Sequence, residues 1–524
     1  MRLCIVLIAL GNSLWADEKV HITGTVFRGA SQQRISGARV YLTPAPARNG
    51  VEPLSVVTKG DGRFEFLVPA GKYQLTAETS EIYRQNFGGR KAPPEIGVSI
   101  IAQPGLPTED LSFPLFPPAS IRGRIVDAHG EPVENGLVQL LQSRVTAGRA
   151  RTNSYRWAYT NDLGEFRFGL VPAGTYYLAV TAEPWYANGN SRWRQGRVST
   201  NGGNAAFLTS YFPGTPESSQ AAPLRLTSGQ ESKADFTLTE TTGARISVAC
   251  RGCPEGGALE LIYDGIGHAE GFQQVTNIYN GHGTLSGVPP GHYIVRVRSK
   301  ESTQARAAMA PVDVNGTDLS VDLNTAEMPA VSGIVSMEGG AAIPRGMTVS
   351  VRNITSLRIT TSSVNPNGGF AIAGVLPGEY QILVGNSSGL YAKSVHLGEK
   401  EARVFTVSND GVSNVRILAA LGGGSINGLV YQDGKPTYGV LAVLVPEGLP
   451  NEPDLYHGFQ TDSDGSFSWT NVRPGSYRLL AFPTGDFEYA STEKLRPYMK
   501  DGKLIEIGPG DVFREKIEVP VTLR

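Results

Sequence analysis

Only three cysteines occur in 524 residues, so neither a disulfide framework nor a cysteine-rich zinc module can organise the chain. Charge is scarce as well. Asp, Glu, Lys and Arg make up 18% of the sequence, and 47 basic residues against 48 acidic leave a formal net charge of −1. A chain so balanced has no global field to draw in nucleic acid or anionic lipid, and neither is expected as a partner. Beyond the first residues no apolar run approaches the roughly 18 residues of a membrane-spanning helix. Gly-x-Ser-x-Gly elbows, phosphate-binding loops and Cys/His triads are missing too. What abounds is glycine and proline, 63 and 34 residues, in a sequence still 40% hydrophobic. That combination excludes disorder. It predicts many short strands joined by tight turns, in several domains, because one core cannot serve this length.

The first residues read as a leader. Arg2 precedes the apolar run Leu3 to Leu10, and Ala16 offers a small residue before the charged Asp17-Glu18-Lys19. A run too short to span a bilayer, placed there, predicts a secretory signal over 1–16 and an exported chain, periplasmic, cell-surface or secreted. Cys4 lies inside the run without the small residues of a lipoprotein signal. Cys250 and Cys253 then remain, and an even pair in an oxidising compartment predicts a local disulfide that pins one turn. A zinc reading would need further ligands. His268, His282 and His292 follow at no ligand spacing, so no metal and no cofactor is expected.

A repeat organises the rest. Asp61-Gly62-Arg63-Phe64 leads to Pro69-Ala70-Gly71-Lys72-Tyr73, and Leu163-Gly164-Glu165-Phe166 leads to Pro172-Ala173-Gly174-Thr175-Tyr176. Gly283-Thr284-Leu285 precedes Gly291-His292-Tyr293, Gly368-Gly369-Phe370 precedes Gly378-Glu379-Tyr380, and Gly465-Ser466-Phe467 precedes Gly475-Ser476-Tyr477. Some forty residues upstream of each stands a short strand such as Ile22-Thr23-Gly24-Thr25-Val26 or Val331-Ser332-Gly333-Ile334-Val335. The third copy, Ala244-Arg245-Ile246-Ser247-Val248, departs most. Successive Gly-x-Tyr signals lie about 90 to 120 residues apart, one sandwich domain each. Alternation in Phe64-Glu65-Phe66-Leu67 predicts a half-buried strand, and the preceding Asp-Gly supplies a turn with positive φ. The tyrosine is read as a fold residue whose ring is buried while its hydroxyl reaches backbone.

Gly-x-Phe followed by Pro-x-Gly-x-Tyr resembles the carboxypeptidase regulatory-like domain, a transthyretin-like sandwich grouped with carbohydrate-binding-like folds. The resemblance implies an all-β tandem array of five Ig-like/transthyretin-like β-sandwich domains, over 17–118, 119–241, 242–328 (divergent), 329–420 and 421–524. Gly422-Gly423-Gly424-Ser425 reads as a flexible joint. The resemblance specifies a fold far better than an activity. The related collagen-adhesin B-type module implies a Lys–Asn crosslink, for which Lys19 and Glu78 have plausible places but no closing asparagine follows.

Other motifs favour structure over chemistry. His396-Leu397-Gly398-Glu399, with His457 as a third ligand, has peptidase-like spacing but lies between strands in a chain filled by repeats. Asp462-Ser463-Asp464-Gly465 opens like a calcium loop, yet no glutamate follows at the required position. The best functional candidate is the second domain, with one insertion over 144–159 and another over 185–211. They hold Trp157, Trp185, Tyr186, Arg192, Trp193, Arg194 and Tyr211, rings that can stack on sugars beside guanidinium donors. The alternative is that these aromatics pack the insertions onto their own domain or a neighbour. The expectation is therefore a non-catalytic binding or scaffold protein, with a polysaccharide or an envelope protein as partner. A spacer array, or an accessory module of a separate secreted hydrolase, are the rival readings.

Overall fold

A computed structural model describes residues 19–31, 33–47, 50–89, 97–184, 205–253, 256–263, 273–298, 306–324, 326–327, 329–386, 389–408, 410–450, 452–483 and 485–518. Among the described residues strands dominate, with short 3-10 turns and one α-helix, Thr492–Leu495. Among the described residues the principal hydrophobic cores follow one another along the sequence, from Val20 to Leu115, Ala119 to Leu238, Ala244 to Leu323, Val331 to Ala419 and Ile426 to Ile507. The fold is a set of tandem β-sandwiches.

Each core is built the same way, and the repeat motif explains how. The opening strand pairs with the strand that follows Gly-x-apolar and, on its other side, runs parallel to the last strand of the repeat. In the first repeat Lys19–Arg28 lies antiparallel to Arg63–Pro69 and parallel to Leu111–Leu115. In the second, Ala119–Val126 meets Glu165–Val171 and then Glu231–Lys233 and Phe236–Thr237. The facing sheet is a hairpin whose second strand begins at Gly-x-Tyr, for example Arg39–Pro44 with Gly71–Glu78. The burial pattern along Arg63–Pro69 alternates strictly, Phe64, Phe66 and Val68 pointing inward.

The glycine in the opening strand has a steric cause. Gly24 faces Phe64, Gly123 faces Phe166 and Gly333 faces Phe370 across the antiparallel pair. A Cβ at Gly24, Gly123, Gly333 or Gly428 would stand under 3.0 Å from a backbone carbonyl on the side of the parallel last strand. Only glycine lets that strand close while a phenylalanine ring lies over it. The divergent third repeat reverses the volumes: Ile246 takes the glycine place and faces Leu285, both buried. Its divergence is a compensated exchange of large for small.

The tyrosines behave alike. The hydroxyls of Tyr73, Tyr176, Tyr293 and Tyr477 each donate to the carbonyl four residues earlier, at 2.9, 2.9, 3.0 and 2.8 Å. Tyr380 instead uses the Asn353 side chain. Burial pushes the Tyr477 phenol up to about 12.

The chain forms two compact units. The first comprises the described residues of 1–117 with the short segments 434–439 and 460–466; inside it Tyr438 stacks on Phe87 and Asp462 pairs with Lys72 at 2.6 Å. The Asp462 turn thus meets an ammonium group of its own chain. The second unit comprises 118–433, 440–459 and 467–524 and holds the later repeats together. There the glycine-rich segment 422–425 is a bonded joint, contrary to the flexible one expected. Gly423 N–H donates to Gly389 O at 2.8 Å, Gly510 N–H to Gly422 O at 2.6 Å and Ser425 N–H to Asp511 O at 2.8 Å. Its glycines serve close backbone approach, since a Cβ at Gly423 would meet Asn471 Cα at 2.8 Å. Beside it Glu452 accepts from Arg403 at 2.9 Å and Arg473 at 3.2 Å, tying the fourth repeat to the fifth.

The fifth repeat also carries a second core. Every residue of Leu441–Pro446 is buried, because Leu441, Val443 and Val445 pack on the far face of their sheet against Leu455, Phe482, Leu495 and Tyr498. The described residues of 483–502, with the helix, cover that face.

Candidate ligand surface on the second repeat

The insertion over 144–159, read from sequence as a loop, is a hairpin arm. Strand Leu137–Thr146 pairs with Arg149–Tyr159 from Thr146↔Arg149 to Leu137↔Tyr159. Ala147 (φ 48°) and Gly148 (φ 76°) make its two-residue turn, the left-handed pair that matches strand twist. The sequence signal was there: Ala-Gly between runs of strand formers, obscured by the arginines on both sides. A bulge between Leu140 and Leu141 leaves Tyr155 outside the ladder, and its ring turns into the core 5.8 Å from Tyr176.

This hairpin gives Trp157 and Tyr159 their place. They lie two residues apart on the edge strand and are 66% and 61% exposed, so the structure offers two aromatic faces to solvent. Between them and the core, Arg156 donates to the carbonyls of Gly169 at 2.7 Å and Leu170 at 3.3 Å, which fixes the strand beneath the rings. Register continues the row inward from Trp157 to Gln139, Ala179 and Tyr211. Gln139 is fully buried and neither its amide nitrogen nor its oxygen has a hydrogen-bond partner. In the next row Tyr159 leads to Leu137 and Thr181, whose hydroxyl is also buried and unpartnered. An orphaned buried polar group costs about 1–3 kcal/mol. Sequence reasoning missed both, since nothing in a strand pattern says which polar side chain will be covered.

Tyr211 is not part of an exposed cluster. It is 1% exposed, packed with Leu141 and Ala179, and its ring lies 6.5 Å from that of Tyr263 in the third repeat. The expectation of an exposed ring fails there because Tyr211 fills the seam between two repeats. Trp185, Tyr186, Arg192, Trp193 and Arg194 lie outside the described residues. Cys250 and Cys253 are joined by a disulfide with Cα atoms 5.7 Å apart.

The other motifs stay apart. His396 lies near the end of one strand and Glu399 in the turn that follows, paired with Arg416 at 3.2 Å, while burial pushes His457 down to about 4. Glu78 is engaged by Tyr41 and Arg84, whose hydrogen bonds hold its carboxyl below the usual range. A cleft on the fourth repeat is lined by Asn365, Asn414 and Arg416 and has no aromatic platform beyond Phe370.

Comparison with known proteins bears on the same repeat. Residues 120–239 match the family described as carboxypeptidase regulatory-like domain. The second repeat is a carboxypeptidase regulatory-like domain. Over 177 residues the chain is 29% identical to the human proteins named BOS complex subunit NOMO3 and BOS complex subunit NOMO1, a match covering 30% of this chain and 14% of each relative. Among solved structures, the Bacillus anthracis TIE protein is 10% identical, with 77% of this chain and 74% of that one covered, at a TM-score of 0.17. A streptococcal ancillary pilin (11% identity, 59% and 99% covered) gives 0.18, and the Bacillus cereus major pilin subunit BcpA (11%, 76% and 98%) gives 0.15. These TM-scores bear on neither arrangement nor activity. Among the described residues no helix is long and apolar enough to cross a membrane.

Proposed function

We propose that the chain is an exported, non-catalytic binding or scaffold protein that presents the second repeat to a polysaccharide at the cell envelope. The observation that carries this reading is the pair Trp157 and Tyr159, two exposed rings on one braced edge strand. Aromatic faces stack on the apolar faces of sugars, and a strand holds their spacing better than a loop would. Trp185, Tyr186, Arg192, Trp193 and Arg194 belong to the proposed surface by their place in the sequence, and export rests on the leader-like residues 1–16.

Glycan-array binding by the full chain tests this. Binding that is lost in a Trp157→Ala/Tyr159→Ala double variant of unchanged circular dichroism supports it; binding that survives removes the edge strand from the site. A second reading, a spacer or protein-interaction array, is favoured by the use of the same hairpin as a clasp. Gly148 O accepts from Ala490 N–H at 2.8 Å and Arg149 Nε donates to Ala490 O at 3.2 Å, while Arg151 donates to the carbonyls of Ile354 and Thr355. No glycan binding, together with retention of an envelope protein in a pull-down, would select that reading.

A further inference from the structure

Asp127, His129 and Glu240 bring one ligand atom each to within 4.8 Å of one another, the one such set of three among the described residues. We infer that they form a binding site for a first-row divalent cation of the Zn²⁺ type, placed where the second repeat hands over to the third.

Local structure builds the site from two sides. Asp127 and His129 stand in the turn after the strand Ala119–Val126. One carboxylate oxygen of Asp127 accepts from the backbone N–H groups of His129 and Glu131 at 2.8 and 2.9 Å. Its other oxygen lies 4.0 Å from His129 Nδ1, too far for a hydrogen bond. Glu240 arrives from the other side. Leu238 N–H donates to Val126 O at 2.8 Å, and the strand Glu240–Thr242 pairs with Ala205–Phe207, which sets Glu240 over the turn.

Charge then points to a cation. Two carboxylates share this small space, and among the described residues neither has a Lys or Arg ion pair. Donors around a tetrahedral ion at 2.0–2.2 Å stand roughly 3.5 Å apart, so the set needs only a small inward rotation of His129 and Glu240, both exposed. The imidazole selects the class: nitrogen with two carboxylates suits Zn²⁺, whereas Ca²⁺ wants six or more oxygens. Water completes the coordination. The ion would fasten the turn of the second repeat to the connector that begins the third repeat's Ala244–Arg251 strand.

The test is calorimetric titration of the full chain with Zn²⁺, and with Ca²⁺ and Mg²⁺ separately, alongside His129→Ala and Glu240→Gln variants. One equivalent of Zn²⁺ should bind to the unaltered chain, each variant should weaken that event at least tenfold, and Zn²⁺ should raise the melting temperature of the unaltered chain only. No saturable Zn²⁺ binding, an affinity in either variant equal to that of the unaltered chain, or Ca²⁺ binding in preference to Zn²⁺ would each overturn the assignment. Both changes lie on exposed side chains, and unchanged circular dichroism establishes that the variants are folded.

Discussion

Replacing Gly123 by alanine should be among the most damaging single changes in the second repeat, although it adds one methyl group. The added Cβ would stand 2.6 Å from Phe166 Cε1 and 2.7 Å from the carbonyl carbon of Ala234. Ordinary carbon contacts lie near 3.5–4.0 Å, so the ring must retreat by about 1 Å, and the Ala234 carbonyl oxygen, 1.9 Å from the added Cβ, by more. Phe166 is 5% exposed and packed beside Phe168, and Ala234 sits between the two short strands that run parallel to Ala119–Val126. Moving the ring disturbs the core; moving the backbone breaks that ladder. Overpacking of this kind costs roughly 1–3 kcal/mol, and a clash with backbone belongs at the upper end. At about 4 °C per kcal/mol, the transition of this repeat should fall by roughly 10 °C. Urea unfolding followed by near-ultraviolet circular dichroism would measure it. Adding Phe166→Leu should recover part of the loss, because it relieves the ring and not the carbonyl. A Gly123→Ala chain within about 0.5 kcal/mol of the parent would refute the steric role assigned to the opening-strand glycine.

Other outcomes follow from the same structure. Tyr176→Phe removes the 2.9 Å bond to Pro172 O and should cost about 1 kcal/mol in the same urea assay. Gly148→Val should expose the hairpin tip to limited proteolysis, since a Cβ there would meet the Tyr489 ring at 2.7 Å. His457 is depressed to about 4 by burial, so its uncharged form is the one the fold accommodates. An unfolded histidine binds its proton near 6.5; the stability due to His457 is therefore full above that pH. It declines as pH falls through about 6.5 to 4, by up to about 3 kcal/mol. His457→Gln should flatten that part of the pH–stability profile, and an unchanged slope would place the titration elsewhere.

The repeat was legible because its residues act locally. Glycine before a strand, Pro-x-Gly at a turn and alternation along Phe64–Phe66 constrain neighbours in sequence, and the tyrosine bonds only four residues back. Motif and fold could be read together. The weak third repeat was harder, since Ile246 and Leu285 make sense only as a pair, and that pairing exists across the sheet.

The candidate surface was legible in part. Trp157 is an exposed ring and Tyr211 is a buried one, though both are aromatics in the same insertion-rich repeat. What separates them is a neighbour far along the chain: Tyr263 packs beside Tyr211, and nothing described covers Trp157. Gln139 tells the same story, a polar residue in a strand whose burial depends on what packs over it.

By itself the amino-acid order determined the β class, the repeating strand-turn-strand unit and the places of its turns, because those follow from backbone sterics and alternation within a few residues. Tertiary structure alone decided that a hairpin of the second repeat clasps the fourth and fifth, that a glycine run is a bonded joint, and that Asp127, His129 and Glu240 meet. Each of these joins residues far apart in sequence, and their proximity is settled by how preformed sheets pack, which no local pattern encodes.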